Sequence, residues 1–298
     1  MNDLNKRIAS QLAASVHQSI VDFATQLGRE SGAAAILFYG SNLRTGRLDG
    51  VLDYYVLLPG EQEGRIWPRV SFREWNIPSR ILRAKIATMS LERFEKAASG
   101  SLLDTTIWAR FVQPAALVWV ANPTSRIRVV GALSSAAQCA AKLAITLGPS
   151  EAPPKDYWRV LFQATYNAEL RFEKKGREES ILDLNEKHFD GLLALALNTA
   201  KIPFRSEGDV IQPCLPVSER GATLAWWRKR RMFGKSLNIL RLLKASTTFE
   251  GAAKYAAWKI KRHTGVTLEV TPWQERHPVL AAPGALIKVW LERKKGPR

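Results

Sequence analysis

The chain has 298 residues, 46% of them hydrophobic, which excludes a disordered protein and allows a sizeable core. Its 44 Lys and Arg outnumber its 27 Asp and Glu, so the net charge of +17 favours a polyanionic partner: nucleotide, nucleic acid or an anionic membrane. Two distant cysteines and four scattered histidines argue against a disulfide framework and against a thiolate or histidine zinc motif.

Apolar residues at spacings of three and four predict a helix over residues 4–27. This segment lacks the apolar core of a signal peptide, and no apolar run approaches the roughly 20 residues needed to span a bilayer. We therefore expect a cytoplasmic protein that binds the inner face of the cell membrane peripherally. Two strands are predicted at 34–39 and 51–58, and the stretch 59–78 is predicted to be mainly loop.

Further along the chain, the pattern predicts a strand at 83–89, a helix that begins after Ser90, a helix at 103–112, a strand from Pro114 to Ala121 and an Ala-rich helix at 132–147. The clearest linker is Glu151-Ala152-Pro153-Pro154. Beyond it we expect helices over 155–200, an irregular stretch at 203–216, two basic helices at 235–246 and 249–263, and a short strand or helix at 285–292.

The most informative motif is an apolar strand that ends in a Gly-Ser turn and precedes a second strand with one acid. Gly40 and Ser41 follow the first strand, and Asp53 lies in the second. Glycine lets the backbone approach a phosphate, and a serine hydroxyl can donate a hydrogen bond to it. A carboxylate on the next strand can hold Mg²⁺. This order is typical of a nucleotidyltransferase, but an ordinary turn and a solvated strand-end acid also fit it.

Five short blocks, in order, resemble the mitochondrial translocator assembly and maintenance proteins, a family of phosphatidate cytidylyltransferases. The blocks are Tyr39-Gly40-Ser41, Leu52-Asp53-Tyr54, Lys85-Ile86-Ala87-Thr88-Met89-Ser90, Trp108-Ala109-Arg110-Phe111-Val112-Gln113-Pro114 and Thr165-Tyr166-Asn167-Ala168-Glu169-Leu170-Arg171. The chain departs from the family at Ala109 (usually Gly), Gln113 (usually Lys) and Glu169 (usually Asp). The absence of a second acid at Val51 is shared with the family.

The resemblance implies transfer of CMP from CTP to phosphatidate, with Mg²⁺, to give CDP-diacylglycerol and pyrophosphate. It implies that Gly40 and Ser41 hold the nucleotide phosphates and that Asp53 binds the metal. Glu169 would supply a second carboxylate, as a metal ligand or as a base. Phosphate charge would be neutralised by three cations, Lys85, Arg110 and Arg171. Lys85 would also be one of the catalytic residues.

The last quarter of the chain carries most of the excess charge. Residues 221–298 contain 17 Lys and Arg against 4 Asp and Glu, a net charge of +13. Aromatic residues interleave with these cations, a composition that suits an anionic membrane surface, single-stranded nucleic acid or the solvated face of an ordinary helical subdomain. Because the charge lies far along the chain from the Gly-Ser turn, we expect a docking surface separate from the chemical site. Its residues would be Trp226, Trp227, Arg228, Lys229, Arg230, Arg231 and Trp258.

The predicted fold is α/β (α+β): a nucleotidyltransferase-like head with a mixed sheet over 1–150, a helical domain over 151–220 that contributes to the site, and a basic membrane-docking region over 221–298. The expected partners are CTP, phosphatidate and an anionic membrane surface, and we do not expect nucleic acid. The alternatives are a nucleotidyltransferase that acts on nucleic acid or a small molecule, and a non-catalytic basic protein that docks on membrane or RNA. The sequence leaves the oligomeric state open.

Overall fold

A computed structural model describes residues 2–61, 68–78, 80–168, 176–276, 280–281 and 283–284, and it confirms the mixed α/β class. One sheet of five strands has the order β3-β4-β2-β1-β5. Strands β2 and β4 are parallel, whereas β1 pairs antiparallel with β2 and β5, and β3 pairs antiparallel with β4. The strands are β1 (Ala35–Tyr39), β2 (Leu52–Leu58), β3 (Arg69–Ile77), β4 (Arg80–Ser90) and β5 (Ala115–Val120).

Helices cover both faces of the sheet and continue beyond it. The helices up to the predicted linker are α1 (Asp3–Leu12), α2 (Gln18–Ser31), α3 (Ser41–Thr45), α4 (Leu91–Ala98), α5 (Thr106–Phe111) and α6 (Pro123–Leu147). The later elements are α7 (Pro154–Ala168), α8 (Arg177–Leu184), α9 (Glu186–Phe189), α10 (Leu192–Thr199), the hairpin β6 (Phe204–Glu207) and β7 (Val210–Pro213), α11 (Val217–Thr248), α12 (Ala252–Thr264) and α13 (Pro272–Arg276).

Alternation along β2 divides the core into two apolar clusters, one on each face of the sheet. Tyr54 and Val56 pack with α2 on one face. Tyr55 and Leu57 belong to the other cluster, to which α1, α4, α5, α6, α7 and α10 contribute. Asp53 shares the side of β2 that carries Tyr55, because residues two apart point to the same face.

Helix α6 is the central helix of the larger cluster. Contrary to the expectation of no long apolar segment, it is long and apolar enough to cross a membrane. However, 72% of the most apolar 18-residue segment of α6 is buried inside the structure, where the helix packs against α4, α5, α7 and α10. It therefore has the packing of a core helix.

Several predicted elements are confirmed, including the helix after Ser90, whose hydroxyl accepts a hydrogen bond from the Arg93 amide at 3.1 Å. Two predictions are wrong. The helix over 4–27 is two helices, because His17 ends the intervening segment and caps α2 by accepting from the Ser19 amide at 3.2 Å. The stretch 59–78 contains β3, which pairs with β4 from Arg69 to Ile77. The two strands form a tight hairpin in which Ile77 pairs with Arg80, but β3 lies at the edge of the sheet and most of its side chains are exposed or half-buried, so its sequence carries little of the apolar alternation that marks a strand.

The later part of the chain also differs from the prediction. The irregular stretch contains the hairpin β6–β7, and α11 begins at Val217, well before the predicted start at 235. The element predicted at 285–292 lies outside the described residues. The larger apolar cluster crosses the expected domain boundaries, since it includes residues of α1, α6, α7, α10 and Trp227 of α11.

Candidate active site

A row of four side chains crosses one face of the sheet at its centre. Asp53 on β2 is the register partner of Tyr39 on β1 and of Lys85 on β4. Lys85 is in turn the partner of Phe72 on β3. Partners in register point to the same face, so Phe72, Lys85, Asp53 and Tyr39 form one line. The sheet therefore brings together the acid and the lysine that the sequence singled out.

Gly40 lets the chain turn directly beside the carboxylate. Its φ of 93° lies in the region that favours glycine. A Cβ placed on Gly40 would lie 2.8 Å from Oδ2 of Asp53, closer than real contacts allow. The absence of a side chain at this position is thus what permits the approach between the turn and the acid.

The loop between β1 and β2 is held by a residue that the sequence reasoning missed. The buried side-chain amide of Asn42 donates to the carbonyl oxygens of Arg47 and Asp49, at 2.9 and 2.8 Å. Ser41 precedes it and is exposed on α3. Asn42 thereby fixes the loop that leads from the Gly-Ser turn to the strand of Asp53. The sequence signal that could have identified this role is an asparagine directly after the Gly-Ser turn.

Two cations surround Asp53 and set its electrostatics. Burial raises the pKa of the Asp53 carboxyl, and the positive charges of Lys85 and Arg110 oppose that rise. Arg110, on α5, donates a hydrogen bond from Nη1 to the Tyr39 hydroxyl at 2.9 Å and lies over the Tyr39 ring at 5.1 Å. One acid between two cations has a net positive charge, which suits a phosphate-rich ligand.

Two further predicted site residues, Glu169 and Arg171, lie outside the described residues. Helix α7 ends just before them at Ala168, where α11 packs closely. A Cβ placed on Gly234 of α11 would lie 2.7 Å from the Ala168 carbonyl oxygen. The roles expected for Glu169 and Arg171 stay predictions.

Part of the expected membrane surface is instead buried inside the protein, which corrects the assignment of Trp227 and Arg230 as membrane-docking residues. Both residues are only 5% exposed. Arg230 donates to the carbonyl oxygen of Leu102 at 2.7 Å and stacks on Trp226, whose indole N–H donates to the Gly100 carbonyl oxygen at 3.1 Å. Trp226 and Trp227 both pack on Trp108 of α5. These contacts pack α11 against α5 and the loop that precedes it.

The other three cations of the expected docking surface point outward. Arg228, Lys229 and Arg231 are exposed on α11. The same helix also exposes large apolar side chains, at Leu224, Met232, Phe233, Ile239 and Leu240. The outward side of α11 is therefore both cationic and apolar.

Trp258 lies on α12, which packs against strand β3 of the sheet. The Phe72 amide donates to the Glu250 carbonyl oxygen at 2.8 Å, just before α12 begins. Trp258 is half-buried and has Arg83 of β4 at 5.9 Å and Arg262 at 5.4 Å from its ring centre. The expectation that the basic region is separate from the chemical site is therefore wrong for α12.

The donor set at Asp53 fits Mg²⁺ only in combination with other ligands. Among the described residues, no three His, Cys, Asp or Glu side chains lie close enough to hold a metal ion. Mg²⁺, however, commonly binds through one or two carboxylates and takes its other ligands from water and substrate phosphates. Such a cation would stabilise the ionised form of the Asp53 carboxyl, which desolvation disfavours.

Comparison with known proteins adds no family assignment. No family model matches the chain, and no curated protein matches it either.

Proposed function

We propose that the protein is a nucleotidyltransferase that transfers CMP from CTP to phosphatidate. The observation that carries the proposal is the half-buried carboxylate of Asp53, set beside the Gly40 turn and flanked by Lys85 and Arg110. Nucleotidyl transfer requires little covalent chemistry from the protein, since positioning and charge neutralisation supply most of the rate. This set of residues can provide both.

In the proposed reaction, a phosphate oxygen of phosphatidate attacks the α-phosphorus of CTP. The bond from that phosphorus to the bridging oxygen of the β-phosphate breaks, and pyrophosphate leaves. Lys85 and Arg110 neutralise the anionic phosphates, and the exposed Ser41 hydroxyl can donate to one of them. Mg²⁺ held by Asp53 would supply further charge neutralisation at the reacting phosphates. The choice of CTP and phosphatidate rests on the family resemblance of the motifs.

The outward side of α11 supports a lipid substrate over a nucleic acid. Cations at Arg228, Lys229 and Arg231 suit anionic lipid headgroups, each contributing about 1 kcal/mol near a membrane. The exposed apolar side chains Met232 and Phe233 on the same helix suit insertion among lipids and not contact with a phosphodiester backbone. The proposed location is peripheral, on the cytoplasmic face of the cell membrane.

Turnover by the purified 298-residue chain tests the proposal. Vesicles containing phosphatidate, Mg²⁺ and each labelled nucleoside triphosphate in turn should yield CDP-diacylglycerol with CTP alone. Asp53→Asn should remove turnover. Asp49→Asn is the matched control, because Asp49 is an exposed acid of the adjoining loop that pairs with Arg47 at 2.8 Å. Preference for ATP, or equal turnover by Asp53→Asn and the unchanged chain, would overturn the proposal.

A further inference from the structure

Helix α12 lies over the same face of the sheet as the row of site residues. The Tyr255 ring packs on the Phe72 ring with 5.4 Å between centroids, and Phe72 begins the row that runs through Lys85 to Asp53. Gly251, at the start of α12, approaches β3 so closely that a Cβ there would lie 2.4 Å from the Phe72 carbonyl oxygen. The helix is thus held tightly to the strand that borders the site.

One side of α12 faces the site along its length. Tyr255, Trp258 and Arg262 are spaced three and four residues apart, so they share a helix face. Trp258 stacks with Tyr255 at 6.2 Å and lies under the Arg83 guanidinium. Further along, the Arg262 guanidinium reaches the β1–β2 loop, where a Cβ on Gly50 would lie 3.0 Å from its Nη1.

We propose that α12 completes the nucleotide site: the Tyr255 hydroxyl donates a hydrogen bond to a phosphate held beside Asp53, and the Arg262 guanidinium pairs with another phosphate of the same triphosphate at the β1–β2 loop. This inference rests on the proposed function, since it concerns the same site. It adds two binding residues from a part of the chain some 200 residues beyond the Gly-Ser turn.

The chemistry of both side chains suits this role. Burial raises the pKa of the Tyr255 hydroxyl, and the negative charge of Asp53 raises it further, so the group is a hydrogen-bond donor at neutral pH. Arg262 is exposed, and its positive charge is among those that lower the pKa of Asp49, after the larger effects of Arg47 and Arg80. The two positions are about 10 Å apart along the helix axis, which one extended nucleoside triphosphate can bridge.

Direct binding of CTP with Mg²⁺, without phosphatidate, tests the inference by titration calorimetry on the 298-residue chain. Tyr255→Phe keeps the ring packing on Phe72 and removes only the hydroxyl. It should weaken CTP binding about tenfold or more, as expected for loss of a hydrogen bond to a charged group, with an unchanged melting midpoint. Arg262→Gln should weaken binding about three- to tenfold at low salt, and less as salt screens the exposed charge.

Lys261→Gln is the matched control, because it removes the same charge from the neighbouring exposed position of α12. It should change binding less than twofold. If the unchanged chain binds CTP but Tyr255→Phe and Arg262→Gln bind equally well, the role of α12 is overturned while the proposed function stands. If Lys261→Gln weakens binding as much as Arg262→Gln, the specific role of Arg262 is overturned. If no nucleoside triphosphate binds the unchanged chain, both proposals fail.

Discussion

Arg241 of α11 and Asp104, in the loop before α5, form an ion pair with 2.7 Å between Nη1 and Oδ1. The Asp104 side chain is 2% exposed and that of Arg241 is 14% exposed, so the pair is shielded from water. Asp104 also accepts from the Thr106 amide at 3.0 Å, at the start of the helix that carries Arg110. The pair therefore links the basic helix α11 to the element that places a site cation.

Breaking this pair should destabilise the whole protein. Asp104→Ala removes the carboxylate that pairs with Arg241 in this shielded position, and we expect the free energy of unfolding to fall by about 3–5 kcal/mol. The double substitution Asp104→Ala with Arg241→Met should recover part of that loss, because neither charge of the pair is then left without the other. Denaturant unfolding of the single and double variants measures both effects. A loss below about 1 kcal/mol for Asp104→Ala would show that the pair is solvated and contributes little.

The turn at Gly40 offers a second prediction, with Gly46 as a matched control. Both have positive φ, 93° and 66°, so alanine should cost about 1–3 kcal/mol of stability at either position. Only at Gly40 does the new Cβ meet Asp53, at 2.8 Å, whereas nothing lies within 4 Å of the Cβ at Gly46. Gly40→Ala must therefore displace the carboxylate.

We expect Gly40→Ala to lower turnover by about a hundredfold, the order of effect seen when one preorganised electrostatic group is lost. Gly46→Ala should keep near-normal turnover at a temperature where both variants are folded. Initial rates and melting curves measured on the same preparations separate the two effects. Equal turnover by both variants would mean that the closeness of Gly40 to Asp53 has no catalytic importance.

His188 should make the fold sensitive to acid. Its Nε2 lies 2.8 Å from the Val112 carbonyl oxygen, which only accepts, so Nε2 carries the proton of a neutral ring. Burial lowers the pKa of His188 to about 4 from an ordinary value of 6.5. The unfolded chain then binds the proton more readily than the folded chain between these values. Stability should therefore be lost as pH falls from about 6.5 to 4, by at most about 3 kcal/mol.

His188→Gln keeps a donor without a titratable ring. The unfolding free energy of the unchanged chain minus that of this variant should fall steadily from pH 7 to pH 4 and become constant below pH 4. Denaturant melts at half-unit pH steps would show this trend. A difference that does not vary with pH would mean that His188 titrates normally in the folded protein.

Local pattern predicted the juxtaposition of Gly40 and Asp53 well, because a short loop joins two strands that pair antiparallel. The partnership of Asp53 with Lys85 depends on the parallel pairing of β2 with β4, which no local spacing encodes. The position of α12 was missed for the same reason. The basic composition of the last quarter indicated a surface, but burial of Trp227 and Arg230 depends on the surroundings of Trp108, more than 100 residues earlier.

The outward side of α11 leads to the last prediction, in which only the exposed cations are changed. Reversing Arg228, Lys229 and Arg231 to Glu should weaken binding to anionic vesicles by about a hundredfold or more, since each cation contributes about 1 kcal/mol near the surface. Binding by the unchanged chain should weaken with salt, because exposed charges are screened over about 8 Å at physiological ionic strength. Turnover on vesicles should fall far more than turnover on a short-chain soluble phosphatidate. Arg230 is left unchanged because it is buried.

The control reverses three exposed cations that lie on other elements, Arg126, Lys187 and Arg205, and so changes the net charge equally. Co-sedimentation with neutral and anionic vesicles across a salt series compares the two variants. If both lose binding equally, the attraction belongs to the net charge of the protein and not to α11. Equal pelleting with neutral and anionic vesicles, or stronger binding to single-stranded RNA than to vesicles, would contradict the membrane role. Because Met232 and Phe233 extend from the same helix side as the cations, residual salt-resistant binding should disappear when both are changed to Ser.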